Sequence, residues 1–314
     1  MTPPTSVEAA VAVIQREDGH VLLGQRPSGK PWAGWWEFPG GKIEDGETPL
    51  HALQRELHEE LDIAATHAYP WVTRSFDYPE RRVMLRFFRV RDWTGEPHGK
   101  EGQQLSWQDP AALTVSPMLP ANTPLLAALS LPPVYAVSHL RDMGEQAFFA
   151  ALDAALRQGL RLVQVREKQL HRDDLAQFTQ RVIARCRPCG ARVVVNGDAD
   201  LARACGADGV HLPAAALMRL AERPQGMLAG ASCHGIDELQ HAVALDLDFV
   251  VLSPVLPTRS HPETPPLGWE RFAALIAGCP LPVYALGGLQ PAHLETAWRH
   301  GAHGIAMQRA VWGC

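Results

Sequence analysis

The first 185 residues of this 314-residue chain contain no cysteine, and all six cysteines lie between Cys186 and Cys314. Their irregular spacing argues against the disulfide framework of small secreted domains. Cys186 and Cys189 form a CxxC motif, but it lies near the end of a helical pattern and no second ligand pair accompanies it. We therefore interpret this motif as structural rather than as a redox or zinc site.

The chain also lacks an excess of positive charge and a long apolar run. It has 29 Lys and Arg against 34 Asp and Glu, so no global basic field draws it to DNA or anionic lipid. No apolar run reaches the ~18 residues that a membrane span needs. The N-terminal sequence MTPPTSVEAA has neither a basic start nor a signal-type apolar core. We predict a cytoplasmic protein that binds neither membranes nor nucleic acid directly, and the sequence leaves its oligomeric state open.

What the chain does contain is apolar sequence for more than one core. Its length exceeds that of one ordinary domain, and 46% of its residues are hydrophobic. Ser130-Leu131-Pro132-Pro133 is a short, stiff segment of the kind that links domains. We predict domains over 1–130 and 131–314.

The two sides of this linker differ in periodicity. The pattern before the linker predicts a mixed α+β domain. Its predicted strands cover 8–16 and 20–26, joined by a hairpin turn at Asp18-Gly19, and 82–93 and 104–108. Its predicted helices cover 48–61, capped by Thr48 with Pro49 at the first position, and 123–129. The second side alternates eight short apolar segments with amphipathic stretches. That alternation predicts a compact (β/α)8 TIM barrel.

Three carboxylates of the predicted first helix share one face. With Glu56 at 0°, Glu59 falls at about −60° and Glu60 at about +40°, so all three lie within an arc of about 100°. Positions 52 and 64 are both Ala, so Glu56 and Glu60 lack the basic i±4 partners that usually accompany such acids. Clustered carboxylates suit Mg²⁺ or Mn²⁺, although a solvated acidic helix face remains an equal alternative at this point. We call Glu56, Glu59 and Glu60 the acidic ridge.

The spacing around the acidic ridge resembles the Nudix box of the Nudix hydrolases. The matching positions are Gly41, Glu47, Arg55-Glu56-Leu57, Glu59-Glu60 and Ile63. Asp62 departs from the usual Gly, and because Asp tolerates the left-handed conformation we expect the helix end to survive. The resemblance implies an α/β/α sandwich with a mixed sheet, Mg²⁺ or Mn²⁺ held by Gly40, Glu56, Glu59 and Glu60, and an Arg55–Glu47 pair.

Three further segments, residues 36–44, 96–103 and 119–124, resemble the MutT-type Nudix hydrolases, which hydrolyse 8-oxo-dGTP in the nucleotide pool. This resemblance implies a nucleoside triphosphate substrate. It adds Glu101 to the metal ligands, and it implies catalytic roles for Arg55, Glu56, Glu59 and Glu101. The implied substrate-binding residues are Arg26, Phe38, Glu80, Arg81 and Asn122, where Glu80 replaces a usual Asp. An Asn amide can pair bidentately with a purine edge, but Asn122 is equally placed to be an ordinary helix N-cap.

The predicted barrel resembles thiamine phosphate synthase and its relative TenI. The resemblance lies in QVREK at 164–168, GADGVHL at 206–212, SCH at 232–234, SPVLPT at 253–258 and LGG at 286–288. It implies a phosphate ligand of thiamine type, with these candidate binding residues: Gln164, Arg166, Lys168, Asn196, Ser232, His234, Thr258, Ser260, His261, Gly287 and Gly288. Glycines after the seventh strand fit the phosphate cradle of such barrels.

Three departures from the synthase pattern lead us to expect no synthase activity. Gly197 intervenes between Asn196 and Asp198, the second metal-binding Asp is missing from 213–216, and His261 replaces a Lys. Without these groups Mg²⁺ would bind poorly and pyrophosphate departure would be unassisted. The barrel is then a TenI-like tautomerase using His234 or a non-catalytic module that binds a phosphate ligand. As an alternative substrate for the Nudix site, the fusion suggests a pyrophosphate of thiamine metabolism.

Overall fold

The chain folds into two compact units whose main division lies between Ser130 and Leu131. The computed structural model describes residues 5–77, 81–258 and 263–313. Nine elements form the first unit: β1 Thr5–Ile14, β2 Val21–Gln25, β3 Trp36–Glu37, β4 Gly40–Lys42, α1 Pro49–Leu61, β5 Ala64–Asp77, β6 Arg81–Thr94, β7 Leu105–Gln108 and α2 Thr123–Leu129.

Two sheets organise this unit. The larger has the strand order β4-β1-β6-β5, with β1 parallel to β6 and antiparallel to β4, and the smaller has the order β3-β2-β7. Alternate residues of β1 point to opposite faces, as a strand requires. Ala10, Ala12 and Ile14 pack in the core that contains α1, while Val11 and Val13 pack in the core that contains α2. The mixed sheet therefore lies between two helices, and the predicted α/β/α sandwich is confirmed.

Local signals placed the two helices of this unit correctly. Thr48 caps α1 by accepting the His51 N–H at 3.3 Å, and Pro49 is the first helical residue. Asp62 takes the left-handed conformation at the C-terminal end of α1, with φ 56° and ψ 34°, so the helix ends as expected without Gly. The helix predicted over 123–129 also matches α2.

Strand pairing was predicted less well. The turn at Asp18-Gly19 forms, but β1 and β2 share only the bridge from Gln15 to Val21, so the predicted hairpin is wrong: the two strands enter different sheets. The sequence analysis also missed β5. This strand contains Pro70 and three register shifts against β6, which interrupt the alternation by which strands are recognised.

The second unit is a closed barrel of eight parallel strands, as predicted. Its strands are β8 Val134–Val137, β9 Leu162–Val165, β10 Arg192–Asn196, β11 Gly209–Leu212, β12 Leu228–Cys233, β13 Phe249–Leu252, β14 Val283–Leu286 and β15 Gly304–Met307. Its helices are α3 Leu140–Met143, α4 Glu145–Arg157, α5 Arg172–Cys186, α6 Ala199–Cys205, α7 Ala214–Leu217, α8 Ile236–Ala244, α9 Gly268–Ile276 and α10 Leu294–Arg299. β15 pairs with β8 and closes the barrel.

Aromatic side chains fill the inside of the barrel. Tyr135, Phe249 and Tyr284 are fully buried, and their ring centroids lie 5.4 to 5.6 Å apart. A core packed in this way leaves ligand chemistry to the rim formed by the carboxyl ends of the strands.

The CxxC motif pairs one buried thiol with one exposed thiol. Cys186 is the buried last residue of α5, and burial raises the pKa of its thiol to about 12. Cys189 is exposed, and neither residue of the motif forms a disulfide. Within the described ranges, no helix combines the length and the apolar character that crossing a bilayer would require.

Candidate active site

Helix α1 buries one face and presents carboxylates on the other. The buried face consists of Ala52, Leu53, Leu57 and Leu61. The Glu56 side chain is only 15% exposed, whereas that of Glu59 is 59% exposed. Glu56 and Glu60 line an open cleft of about 890 Å³, and Glu59 is not among the residues that line it. The structure thus divides the acidic ridge into two carboxylates in the cleft and one toward solvent.

Arg55 braces the acidic ridge. Its Nε and Nη2 donate to the two carboxylate oxygens of Glu47 at 3.0 and 2.9 Å, and Nη2 also donates to the Lys42 carbonyl at 3.0 Å. Its Nη1 donates to Glu56 at 2.8 Å and to Glu59 at 3.2 Å. Glu56 has no basic partner at i±4, but the adjacent Arg55 supplies one that the i±4 spacing does not reveal. Arg55 fixes Glu56 against the loop before the helix.

Two glycines permit the close approach of this loop. Gly40 has φ 142°, and a Cβ there would lie 2.2 Å from the Ala10 carbonyl oxygen. A Cβ on Gly41 would lie 2.1 Å from the carboxyl carbon of Glu56. The Glu56 carboxylate therefore occupies the space that any larger residue at position 41 would need.

Glu101 enters the same cleft from the loop of residues 96–103, which we call the Glu101 loop. The Lys100 N–H and the Gln103 side chain both donate to the Glu60 carbonyl, at 3.0 and 3.1 Å. The Glu101 carboxylate, 44% exposed, forms an ion pair with Lys30, which also lines the cleft. Residues from three separate segments therefore meet at the acidic end of the cleft.

The charge of this end favours a cation. Burial first, and then the nearby carboxylates of Glu56 and Glu101, raise the pKa of Glu60 to about 7. Within the described residues, no group of three or more His, Cys, Asp or Glu side chains is already arranged to hold a metal ion. Carboxylate oxygens that repel one another are nonetheless suitable ligands for a hard divalent cation. Binding would require Glu101 to exchange Lys30 for that cation.

The other end of the cleft is less acidic and partly apolar. Phe38 is 2% exposed, and Arg26 donates bidentately to Glu37 at 2.6 and 2.7 Å. Burial raises the pKa of Glu37 in spite of Arg26. Asn122 is 4% exposed and stands at the N-cap of α2, yet its side chain makes no capping hydrogen bond. The structure thus brings Arg26, Phe38 and Asn122 into the cleft that holds Glu56 and Glu60.

Three residues of this cleft escaped the sequence analysis as site residues. In the sequence, only the closeness of Lys30 and Glu37 to the matched segments could have indicated that they belong to the site. Their ion pairs, with Glu101 and Arg26, form only when the chain folds. The third of these residues, Trp32, precedes the Nudix box. It lines the cleft, is 47% exposed, and has φ 63°, which is rare for a bulky residue. Two predicted substrate-binding residues, Glu80 and the side chain of Arg81, lie outside the described part of the structure.

In the barrel, the described candidate residues lie at or just beyond the carboxyl ends of five strands. They are Gln164 and Arg166 at β9, Lys168 just beyond it, Asn196 at β10, Ser232 and His234 at β12, Thr258 after β13, and Gly287 and Gly288 after β14. We call this set the barrel rim. Ser260 and His261 lie outside the described residues.

Two members of the barrel rim belong to a buried hydrogen-bonded chain. Gln164 Nε2 donates to the Tyr135 hydroxyl at 2.7 Å, and that hydroxyl lies 3.1 Å from His211 Nδ1. His211 Nε2 lies 2.8 Å from Ser232 Oγ. Burial, and then the Arg166 charge, lower the pKa of His211 to about 3, so its imidazole is neutral. Sequence analysis included His211 only within a motif and missed Tyr135.

Other members of the barrel rim have packing roles of their own. His234 Nδ1 lies 2.9 Å from the Ser253 carbonyl, so the imidazole is held by a hydrogen bond to the backbone after β13. A Cβ on Gly288 would lie 2.4 Å from the Pro257 carbonyl, so the loop after β13 requires glycine there. Asp198 accepts the Leu201 N–H at 2.8 Å as the N-cap of α6 and pairs with Arg172.

Comparisons with known proteins agree with this division of the chain. The NUDIX domain family model matches residues 5–129, and the model described as thiamine monophosphate synthase matches residues 134–311. The 8-oxo-dGTP diphosphatase of Haemophilus influenzae is 41% identical over 123 residues, which are 39% of this chain and 90% of that protein. The CTP pyrophosphohydrolase of Escherichia coli is 40% identical over 122 residues, 39% of this chain and 90% of that protein.

The barrel has relatives of its own. The putative thiamine-phosphate synthase 2 of Aquifex aeolicus is 34% identical over 180 residues, which are 57% of this chain and 96% of that protein. Each half thus covers nearly the full length of its relatives. The chain belongs to the Nudix hydrolases through its first unit and to the thiamine monophosphate synthase/TenI family through its second.

Proposed function

We propose that the Nudix unit hydrolyses 8-oxo-dGTP to 8-oxo-dGMP and pyrophosphate. The observation that carries this proposal is the buried Asn122 amide, which lies in the cleft of Glu56 and Glu60 and is not used to cap α2. An amide there offers a donor and an acceptor to a purine edge. Oxidation at C8 turns N7 from an acceptor into a donor, so an acceptor placed there would discriminate against normal guanine.

The reaction adds water across the anhydride between the α- and β-phosphates, so one P–O bond forms, one breaks and a proton is released. The groups that would hold Mg²⁺ or Mn²⁺ are the Gly40 carbonyl, Glu56, Glu59, Glu60 and Glu101. When bound, the cation neutralises phosphate oxygens and lowers the pKa of water. Arg55 holds Glu56 in place through its bonds to Glu47 and Lys42. Glu101 orients the attacking water from its loop.

The test compares turnover of 8-oxo-dGTP, dGTP and CTP by the wild type and by Asn122→Ala. We expect the wild type to prefer 8-oxo-dGTP. The substitution should raise KM for 8-oxo-dGTP about 10-fold, since a bidentate contact to a base discriminates by ~1–3 kcal/mol. Its effect on dGTP should be smaller. Equal wild-type rates on 8-oxo-dGTP and dGTP would remove the pool-cleaning role, and faster turnover of CTP would assign a pyrimidine substrate.

The alternative substrate is a pyrophosphate of thiamine metabolism, suggested by the fusion. Thiamine-type pyrophosphates therefore belong in the same panel. Rapid hydrolysis of one of them, with no dependence on Asn122, would favour this alternative, because such a compound lacks the purine edge that the amide would read.

For the barrel we propose binding of a phosphate ligand without synthase turnover. Supporting this, Asp198 already caps α6 and pairs with Arg172, and residues 214–217 form α7 without any carboxylate. The half-buried Arg166 and the exposed Lys168 provide positive charge on the rim that also carries Gly287 and Gly288. Thermal shifts of the full chain with thiamine phosphate and thiazole phosphate should reveal binding. Measurable formation of thiamine phosphate would contradict the proposal.

A further inference from the structure

The backbone role of Asp62 does not explain its side chain. Its N–H donates to the His58 carbonyl at 3.2 Å and ends α1 in the left-handed conformation. Glycine adopts this conformation without strain and would supply the same N–H. A carboxylate at this position therefore calls for a separate reason.

That carboxylate contacts the Glu101 loop. Lys100 Nζ donates to Asp62 Oδ1 at 3.2 Å and to the His58 carbonyl at 3.3 Å. His98 Nε2 lies 3.9 Å from Asp62 Oδ2. Two basic side chains of the loop thus meet one carboxylate at the end of the helix.

The contacts of Asp62 lie on one side of Glu101, and those of Gln103 lie on the other. Gln103 donates to the Glu60 carbonyl at 3.1 Å and accepts the Glu101 N–H at 2.8 Å. The Lys100 N–H donates to the same Glu60 carbonyl at 3.0 Å. Glu101 is therefore held between two attachments to the last turn of α1, the turn that carries Glu60.

We propose that Asp62 is a positioning residue for Glu101. Through Lys100 it docks the Glu101 loop on the C-terminal end of α1, so that Glu101 reaches the cleft lined by Glu56 and Glu60. This inference rests on the proposed hydrolytic role of Glu101. Asp62 itself touches neither substrate nor water in this account.

The first experiment replaces Asp62 with Gly in the full chain. Because Gly relieves the left-handed strain, Asp62→Gly should melt at or above the wild-type temperature. Its kcat for 8-oxo-dGTP should nevertheless fall about two- to five-fold, as expected for loss of one exposed ion pair, while KM changes little. Asp62→Asn, which keeps the shape without the charge, should show the same loss of kcat. Wild-type kcat in both variants would overturn the proposal.

A double-mutant cycle tests the route of the effect. In a Glu101→Gln background, Asp62→Gly should cause no further loss of kcat, since the group that it positions is already disabled. Lys100→Met should reproduce the loss in the wild type and not add to Asp62→Gly. An equal loss from Asp62→Gly with and without Glu101 would contradict a positioning role.

A measurement that needs no substrate, amide hydrogen exchange, tests the docking of the Glu101 loop independently of the proposed hydrolysis. Amide hydrogen exchange of Asp62→Gly should be faster at Lys100, Glu101 and Gly102 than in the wild type, with α1 still protected. Faster exchange together with no turnover of any nucleotide would sustain the docking role and reject the proposed substrate. Unchanged exchange in the Glu101 loop would reject the docking role whatever the substrate.

Discussion

Glu60 in the Nudix cleft and Asp198 at the N-cap of the barrel helix α6 differ in how well hydrogen bonds satisfy their carboxylates. Burial and two neighbouring carboxylates raise the pKa of Glu60, and its side chain accepts no hydrogen bond from the described part of the chain. Asp198 accepts a backbone N–H and pairs with Arg172. Repulsion leaves the first in need of a cation, whereas hydrogen bonding already satisfies the second.

Glu167 of the barrel repeats the pattern of Asp198. It is 4% exposed and accepts from the Leu140 N–H and from Gln169 Nε2, both at 2.9 Å, and from the Ser138 hydroxyl. A buried carboxylate with three donors stabilises the loop after β8 and has little capacity left for a ligand. The comparison teaches that a buried carboxylate is a candidate metal ligand where, as at Glu60, the described part of the fold gives it no hydrogen-bond donor.

Removing one carboxylate charge in each of the two regions is the most direct test of this comparison. Glu56→Gln should reduce kcat at least ~100-fold, because the lost ligand stabilises charge that develops in the transition state. The melting temperature should stay near the wild type. Asp198→Asn is the matched control: because Asn also caps helices, it should lose mainly the Arg172 pair, at most about 1 kcal/mol, and leave nucleotide hydrolysis unchanged. Undiminished hydrolysis by Glu56→Gln would refute the catalytic reading of the cleft.

Substitutions at the adjacent residues Gly40 and Gly41 separate an effect on the Glu56 carboxylate from an effect on stability. Gly41→Ala would displace the Glu56 carboxylate, which is the mobile end of a side chain, so we expect about 10-fold or greater loss of kcat/KM with a small change in stability. Gly40→Ala would meet the Ala10 backbone at a positive φ and should destabilise the unit by ~2 kcal/mol. Thermal melts and initial rates of the two variants distinguish these effects. Equal losses of stability would show that position 41 serves packing alone.

A further prediction concerns the barrel and follows from the pKa of His211. Because that pKa falls from 6.5 to about 3 on folding, the unfolded chain binds a proton between these values that the folded barrel does not. Barrel stability is then complete above pH 6.5 and declines as the pH falls, by about 2 kcal/mol at pH 5. Exchange at the amides of β10 to β12, measured at both pH values, reports this change. His211→Gln should remove this contribution, and an unchanged slope in that variant would assign the acid sensitivity elsewhere.

The features that the sequence predicted well have short-range causes. Thr48-Pro49 begins α1 because a hydroxyl and a ring with fixed φ act on the next turn, and the arc of the acidic ridge follows from the helical repeat alone. The eight apolar segments of the barrel were recognised because strands buried on both faces are continuously apolar. Each of these signals lies within about one element of the chain.

The features that it predicted poorly have long-range causes. The separation of β1 from β2 depends on β6 and β7, and β5 is held by its partner in spite of Pro70. The partner of Glu101 is Lys30, 71 positions away, and nothing local in either residue indicates it. The side chains of Gln164 and Ser232 are engaged by Tyr135 and His211, which reach them only once the barrel closes.

By itself the amino-acid sequence determined that this chain carries two domains, one with a helix bearing three carboxylates and one with eight alternating strands, because helical and strand periodicity are properties of neighbouring residues. Only the tertiary structure decided that the side chain of Glu60 lies in a cleft with no hydrogen-bond donor from the described residues, while donors satisfy Asp198 and Glu167. The state of a carboxylate depends on burial and on charges that folding brings from distant parts of the chain.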